Sequence, residues 1–105
     1  MTYHVQVGDG RVMVPRATHD LYLAGAVAAA LVEREGQVFL VPLNGPTAGG
    51  MLLKQRNAAG DRVLLATEFL NQRGLGRFTP ERACPVRWVA EAGGLLIEGL
   101  GDSAH

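Results

Sequence analysis

Ten side chains of this 105-residue sequence carry full positive charge, nine arginines and the single lysine Lys54, against ten aspartates and glutamates. Their distribution is uneven. Between Lys54 and Arg77 five cations (Lys54, Arg56, Arg62, Arg73, Arg77) meet two carboxylates (Asp61, Glu68), a local excess of three. In residues 1–50, Arg11, Arg16 and Arg34 face Asp9, Asp20, Glu33 and Glu35. Arginines gathered on extended chain suit contact with a phosphate backbone, because each guanidinium offers a fixed fork of donors and each neutralised phosphate releases counterions. The same residues on a solvated strand face would need no partner.

The other reactive side chains form no constellation. His4, His19 and His105 are far apart and none neighbours a nucleophile or a second ligand in a recognisable spacing; a structural or surface role is expected for His4 and His19. Ser103 is the only serine and stands in the tail, which removes a Ser/His/Asp arrangement. Cys84 is the only cysteine, so no intramolecular disulfide exists and no structural zinc set can be assembled. Arg82 and Arg87 flank Cys84 and would favour its thiolate; the other reading is a small buried apolar residue or a bystander in a loop. Gly45–Gly50 lacks the Lys-Ser/Thr of a phosphate-binding loop and the strand and helix of a dinucleotide fingerprint. Trp88 suits packing in the core or at a dimer interface, with base stacking the alternative. No catalytic residue, cofactor or metal is expected.

Composition bounds the scaffold that must position these groups. At 48% hydrophobic and 19% charged residues the chain is an ordinary globular sequence with zero formal net charge. A chain of this length buries roughly 60 to 65% of its unfolded surface, which leaves little room for a deep cavity beside a core. A large enzyme is excluded. The N-terminal residues carry neither a basic segment nor an apolar run, and the longest apolar stretch, Ala24 to Val32, is far shorter than the roughly 20 residues that span a bilayer. The expectation is one cytoplasmic domain.

Along the chain, Tyr3–Val7 alternates at period two, Gly8-Asp9-Gly10 marks a turn, and Arg11–Pro15 alternates again, which predicts a β-hairpin. Thr18 is placed to cap a helix through Leu23 that Gly25 interrupts. Ala26–Val32 suits a helix by its alanines and a buried strand by its position, and both readings stand. Glu33–Gly36 then turns into a strand over Gln37–Pro42. Residues 44–50 are the expected linker. Met51–Arg56 and Arg62–Leu65 flank a second hairpin turn at Asn57–Asp61, Thr67–Gln72 closed by Gly74 reads as a short helix, and Leu75–Pro85 is irregular. Val86–Val89 and Leu95–Glu98 around Ala92-Gly93-Gly94 form a last hairpin, with residues 101–105 a fraying tail.

The two halves repeat one another. Gly10-Arg11-Val12-Met13-Val14-Pro15 aligns with Asp61-Arg62-Val63-Leu64-Leu65-Ala66 at an offset of 51, and Val32–Leu40 with Val89–Ile97 at an offset of 57. The expectation is a mainly β protein with short helices, an α+β chain of two pseudo-repeats, about 3–43 and about 51–100, closing on each other as a small barrel or a swapped-hairpin fold.

Gly10-Arg11-Val12-Met13-Val14-Pro15-Arg16 resembles the opening of the SpoVT/AbrB-type swapped-hairpin domain. Lys54-Gln55-Arg56, Gly60-Asp61-Arg62-Val63-Leu64-Leu65, Glu68-Phe69-Leu70 and Gly74-Leu75 resemble it again. Two copies in one chain are similar to the tandem MraZ arrangement and to cradle-loop or double-psi β-barrels. The first copy departs from the pattern in lacking the Leu-Gly-Leu helix exit and the Gly-Asp pair before its third strand, and the second has Ala66 where proline is usual. The resemblance implies a small AbrB-like DNA-binding regulator or antitoxin, a homodimer or higher oligomer whose hairpin-arm cations meet double-stranded DNA. The matching positions are Arg11, Arg16, Lys54, Arg56, Arg62 and Arg73. The alternative is a non-catalytic module that uses the same barrel to bind a protein or a small ligand.

Overall fold

In the computed structural model, residues 3–43, 50–73 and 81–100 are described. They contain nine strands and two short helices: β1 Tyr3–Gly8, β2 Arg11–Val14, α1 Arg16–Tyr22, β3 Ala28–Arg34, β4 Gln37–Leu43, β5 Met51–Leu52, β6 Lys54–Gln55, β7 Arg62–Leu65, α2 Thr67–Gln72, β8 Arg82–Val89 and β9 Gly94–Ile97. Residues 44–49 of the expected linker, Gly74 with residues 75–80 of the stretch expected to be irregular, and the expected tail at 101–105 lie outside the described residues.

All strand pairings are antiparallel, in the order β5-β3-β4-β9-β8-β1-β2-β7-β6. The two end strands are consecutive in the chain, parted only by Leu53, whose N–H donates to the Val27 carbonyl at 3.0 Å. The sheet therefore comes back on itself as a nearly closed barrel, which leaves almost no free edge. Its inner wall is aliphatic: Val5, Val7, Val12, Val14, Val38, Leu40, Leu64 and Leu95 are fully buried, and Leu23 at the end of α1 and Leu70 of α2 join the same cluster. Fully burying one such side chain contributes about 1.5 to 3 kcal/mol before entropy is counted, so this cluster is the main source of stability.

Two hairpin turns follow directly from the sequence. Asp9 and Gly10 have φ of 53° and 75°, and Glu35 and Gly36 have 54° and 80°. Positive φ at both central residues is what the two-residue type I′ turn requires, and glycine at the second position supplies it without strain.

Two expectations change, and two readings left open by the sequence are narrowed. Ala28–Arg34 is strand, not helix: helix propensity yields to a ladder with β4 and with β5, where the small Ala28 and Ala29 are fully buried. Thr18 is not a cap; α1 starts after Pro15, and the buried Thr18 hydroxyl donates to the His4 carbonyl at 2.8 Å, tying the helix to β1. Residues 82–85 are not irregular but open β8, paired with β1 from Val7↔Arg82 to Tyr3↔Val86. Pro85 hid this strand, since proline argues against a paired interior position; here the β8–β9 ladder starts one residue later, at Val86↔Ile97. Finally, Trp88 is not core, being 40% exposed.

The alternation of burial also amends the repeat alignment. Val12 and Val14 point into the barrel and Val12 pairs with the equally buried Leu64, whereas the offset of 51 matches Val12 to Val63, which shares the outward row of Met13. A shift of one residue along a strand inverts every side chain.

Candidate nucleic-acid interface

The six cations singled out in the sequence fall in three places. Arg11 opens β2, where its guanidinium meets Asp9 at 3.2 Å and Glu81 at 4.0 Å. Arg73 follows α2; it bonds Glu33 of β3 at 3.0 Å and lies 4.5 Å over the Phe69 ring. Both charges are largely neutralised within the protein. Arg16, Lys54, Arg56 and Arg62 gather instead around the β6–β7 hairpin and the start of α1.

This hairpin arm is built by Asn57. Its Oδ1 accepts from the N–H of Ala59 at 3.1 Å and of Asp61 at 3.3 Å, an Asx turn that Gly60 completes with φ of 96°. The Arg56 N–H donates to the Asp61 carbonyl at 2.7 Å and closes the loop. Beyond the turn, Lys54 pairs with Val63 and Val63 with Met13, so these three share the outward row of β6, β7 and β2. The Arg56 guanidinium folds over that row and donates to the Met13 sulfur. Arg62 lies in the next row, between Gln55 and the inward-facing Val14, so it opens β7 on the sheet face opposite Lys54.

Asp61 is the one carboxylate on the arm, and its oxygens are already engaged. Oδ1 accepts from the Arg16 N–H at 2.9 Å and Oδ2 from the Asn57 amide at 3.1 Å. The Asn57 bond first, then the Arg16 N–H and the nearby Arg56 charge, hold its carboxyl below the ordinary aspartate range. Arg16 itself is paired with Asp20 at 3.3 Å, one turn along α1. Bonds to His19 and then Arg16 lower the Asp20 carboxyl likewise. Lys54 and Arg62 have no carboxylate partner among the described residues. Four cations against Asp20 and Asp61 leave the arm and the helix start net positive.

The remaining chemical candidates are quiet. Cys84 is in a strand and not in a loop, 1% exposed and opposite Val5. Burial pushes its thiol up, against the smaller opposing effect of Arg82, so the activated thiolate is overturned. His19 is buried with Nδ1 at 3.2 Å from Asp20, a structural placement. Among the described residues no group of His, Cys, Asp and Glu is placed to hold a metal ion, and no helix is long and apolar enough to cross a membrane.

Comparison with protein-family models, curated proteins and solved structures returned no match.

Two features escaped the sequence. One is the Asp61–Arg16 bond, which joins residues 45 positions apart. The other is an aromatic row in which Tyr3 meets Tyr22 edge-on at 5.7 Å and Tyr22 stacks on Trp88 at 6.4 Å with planes 4° apart. With Leu21, 53% exposed, Tyr22 and Trp88 line a shallow apolar depression. Tyr22 is the last residue of α1 and Trp88 the seventh of β8, so the pair has no local signature.

Proposed function

We propose that this chain is a small, non-catalytic, cytoplasmic DNA-binding regulator or antitoxin of AbrB-like type, built from two pseudo-repeats and working as a homodimer. The cationic arm from Lys54 to Arg62 carries the reading, since its cations are largely unspent inside the protein and its one carboxylate is occupied. Phosphate oxygens are the natural acceptors for such a set, with base edges in the groove read by an arginine that reaches past them.

The two-repeat part of the reading is supported by the strand order. Exchanging β1 with the β5–β6 segment, β2 with β7, β3 with β8 and β4 with β9 returns the same circuit of pairings. The turns and helices are also fastened crosswise. The Gly10 carbonyl of the first turn accepts from the Ala66 N–H at 2.9 Å and the Thr67 hydroxyl at 3.3 Å at the start of α2, while Asp61 of the second turn accepts from the start of α1.

The test is a titration of the protein against a duplex from its own upstream region and a random duplex, at about 50 and about 200 mM salt. The expected result is tighter binding of its own duplex, steep weakening with salt, and a slope reduced by about one for Arg56→Ala or Arg62→Ala. An unchanged slope in both variants would remove this arm from the interface.

The surface of exposed Leu21 and Trp88 beside half-buried Tyr22 favours a second reading, a module that binds a protein through an apolar patch, as does the zero net charge. Absence of duplex binding at the lower salt would make it the leading one.

A further inference from the structure

The start of α1 presents an unusual problem for its own chain. Pro15 precedes the helix and has no N–H, and no side chain caps the helix locally. At the corresponding place before α2, Ala66 does have an N–H, and it reaches the backbone carbonyl of Gly10. On the α1 side the first available donor is the Arg16 N–H, one residue further on, and the acceptor is the Asp61 side chain from the opposite hairpin. One fastening is thus made of backbone, the other of a carboxylate.

That carboxylate also stabilises the arm from within. Its second oxygen takes the Asn57 amide, and Asn57 in turn organises Ala59 and Asp61. Gly60 lies against the Arg16 stem, where a Cβ would come within 3.0 Å of Cδ. Charged groups on the two joined elements are Arg16 and Asp20 on α1, and Lys54, Arg56 and Arg62 on the arm.

We infer that Asp61 is a positioning residue for the proposed phosphate-contact surface: its carboxylate fastens the Lys54–Arg62 arm to the first turn of α1 and so fixes where the cations of the arm stand relative to Arg16. This deepens the DNA-binding reading and rests on it. Removing a negative charge beside phosphate contacts would by attraction alone tighten binding; removing the fastening loosens the contact surface.

The experiment compares Asp61→Ala and Asp61→Asn with the parent protein in duplex titrations, alongside amide hydrogen exchange at Arg16 and the thermal midpoint of each variant. Asparagine keeps one acceptor oxygen for the Arg16 N–H while giving up the charge and the bond from the Asn57 amide, so Asp61→Asn is expected to bind within about twofold of the parent or tighter. Asp61→Ala, although one charge more positive, is expected to bind several-fold more weakly and to lose protection at Arg16 while protection at Ala66 is kept. Tighter or unchanged binding by both variants overturns the inference, as does equal weakening by both. If the parent protein binds no duplex, the DNA-binding reading fails separately. The fastening is then judged by acid titration of the Arg16 amide resonance: a midpoint shared with the Asp61 carboxyl supports it, and an unmoved resonance overturns it.

Discussion

The two hairpin turns at Gly8–Arg11 and Arg56–Asp61 lead into β2 and β7, which pair with each other, and each turn holds the first residues of the helix that follows the other strand. They do so with different chemistry. The first is a two-residue turn fastened through a backbone carbonyl, and its arginine is spent on Asp9 and Glu81. The second is longer, fastened through a carboxylate, and flanked by Lys54 and Arg62, which have no carboxylate partner among the described residues, and by Arg16, which Asp20 pairs. Similar local sequence, Gly-Arg-Val-Met-Val against Asp-Arg-Val-Leu-Leu, thus carries a paired arginine in one place and one without a carboxylate partner in the other. The deciding factor is the charge that the fold brings beside each arginine.

The largest effect is expected where both turns are damaged together. Leu64 is fully buried opposite Val12 at the β2–β7 ladder, and Leu64→Ala should cost about 2 to 5 kcal/mol by denaturant unfolding, enough to endanger the fold. Breaking the first turn alone should cost less. A side chain at Gly10 would need φ of 75° and would place Cβ 2.6 Å from the Thr67 hydroxyl, so Gly10→Ala should lower stability by about 1 to 3 kcal/mol without changing the charge of the arm.

Acid separates the turns more gently. The Asp61 carboxyl is held below its ordinary value in the folded protein, so its contribution is present above the unfolded value near 3.9 and is lost as pH falls through the lower folded value. Hydrogen exchange followed from about pH 5 down towards about pH 1, corrected for intrinsic rates, should show protection lost at the Arg16 amide and kept at Ala66, whose acceptor is a backbone carbonyl. Equal loss at both would remove the distinction between the two fastenings. The smallest effect is expected at Arg11: on the proposed reading Arg11→Ala should leave the salt dependence of duplex binding nearly unchanged, where Arg56→Ala lowers its slope by about one.

Much of the fold was legible in particular residues. The Asp9-Gly10 and Glu35-Gly36 dipeptides announced their turns because positive φ is readily tolerated by few residue types, and Tyr3–Val7, Gln37–Pro42 and Leu95–Ile97 announced strands by their β-branched and aliphatic runs. Ala28–Arg34 was not decidable, since alanine fits a helix and a crowded strand equally and only the partners β4 and β5 choose. Residues 82–85 were lost to Pro85, whose strand pairing depends on a distant β1. The candidate site was legible as an excess of cations, but the sequence could not sort them, because Glu33, Glu81 and Asp20 neutralise their arginines by tertiary approach or helical turn.

By itself, then, the chain determined its turns, the alternation of most strands, two short helices and a surplus of arginine in its second half; these depend on backbone conformational preference and on the local period of apolar residues. The tertiary structure decided which faces of those strands look inward, that the β5–β6 segment returns to close the sheet, and that Asp61 reaches the start of α1 while Trp88 lies open beside Tyr22. The reason is that pairing register, charge neutralisation and exposure are relations between residues tens of positions apart, and no local preference encodes them.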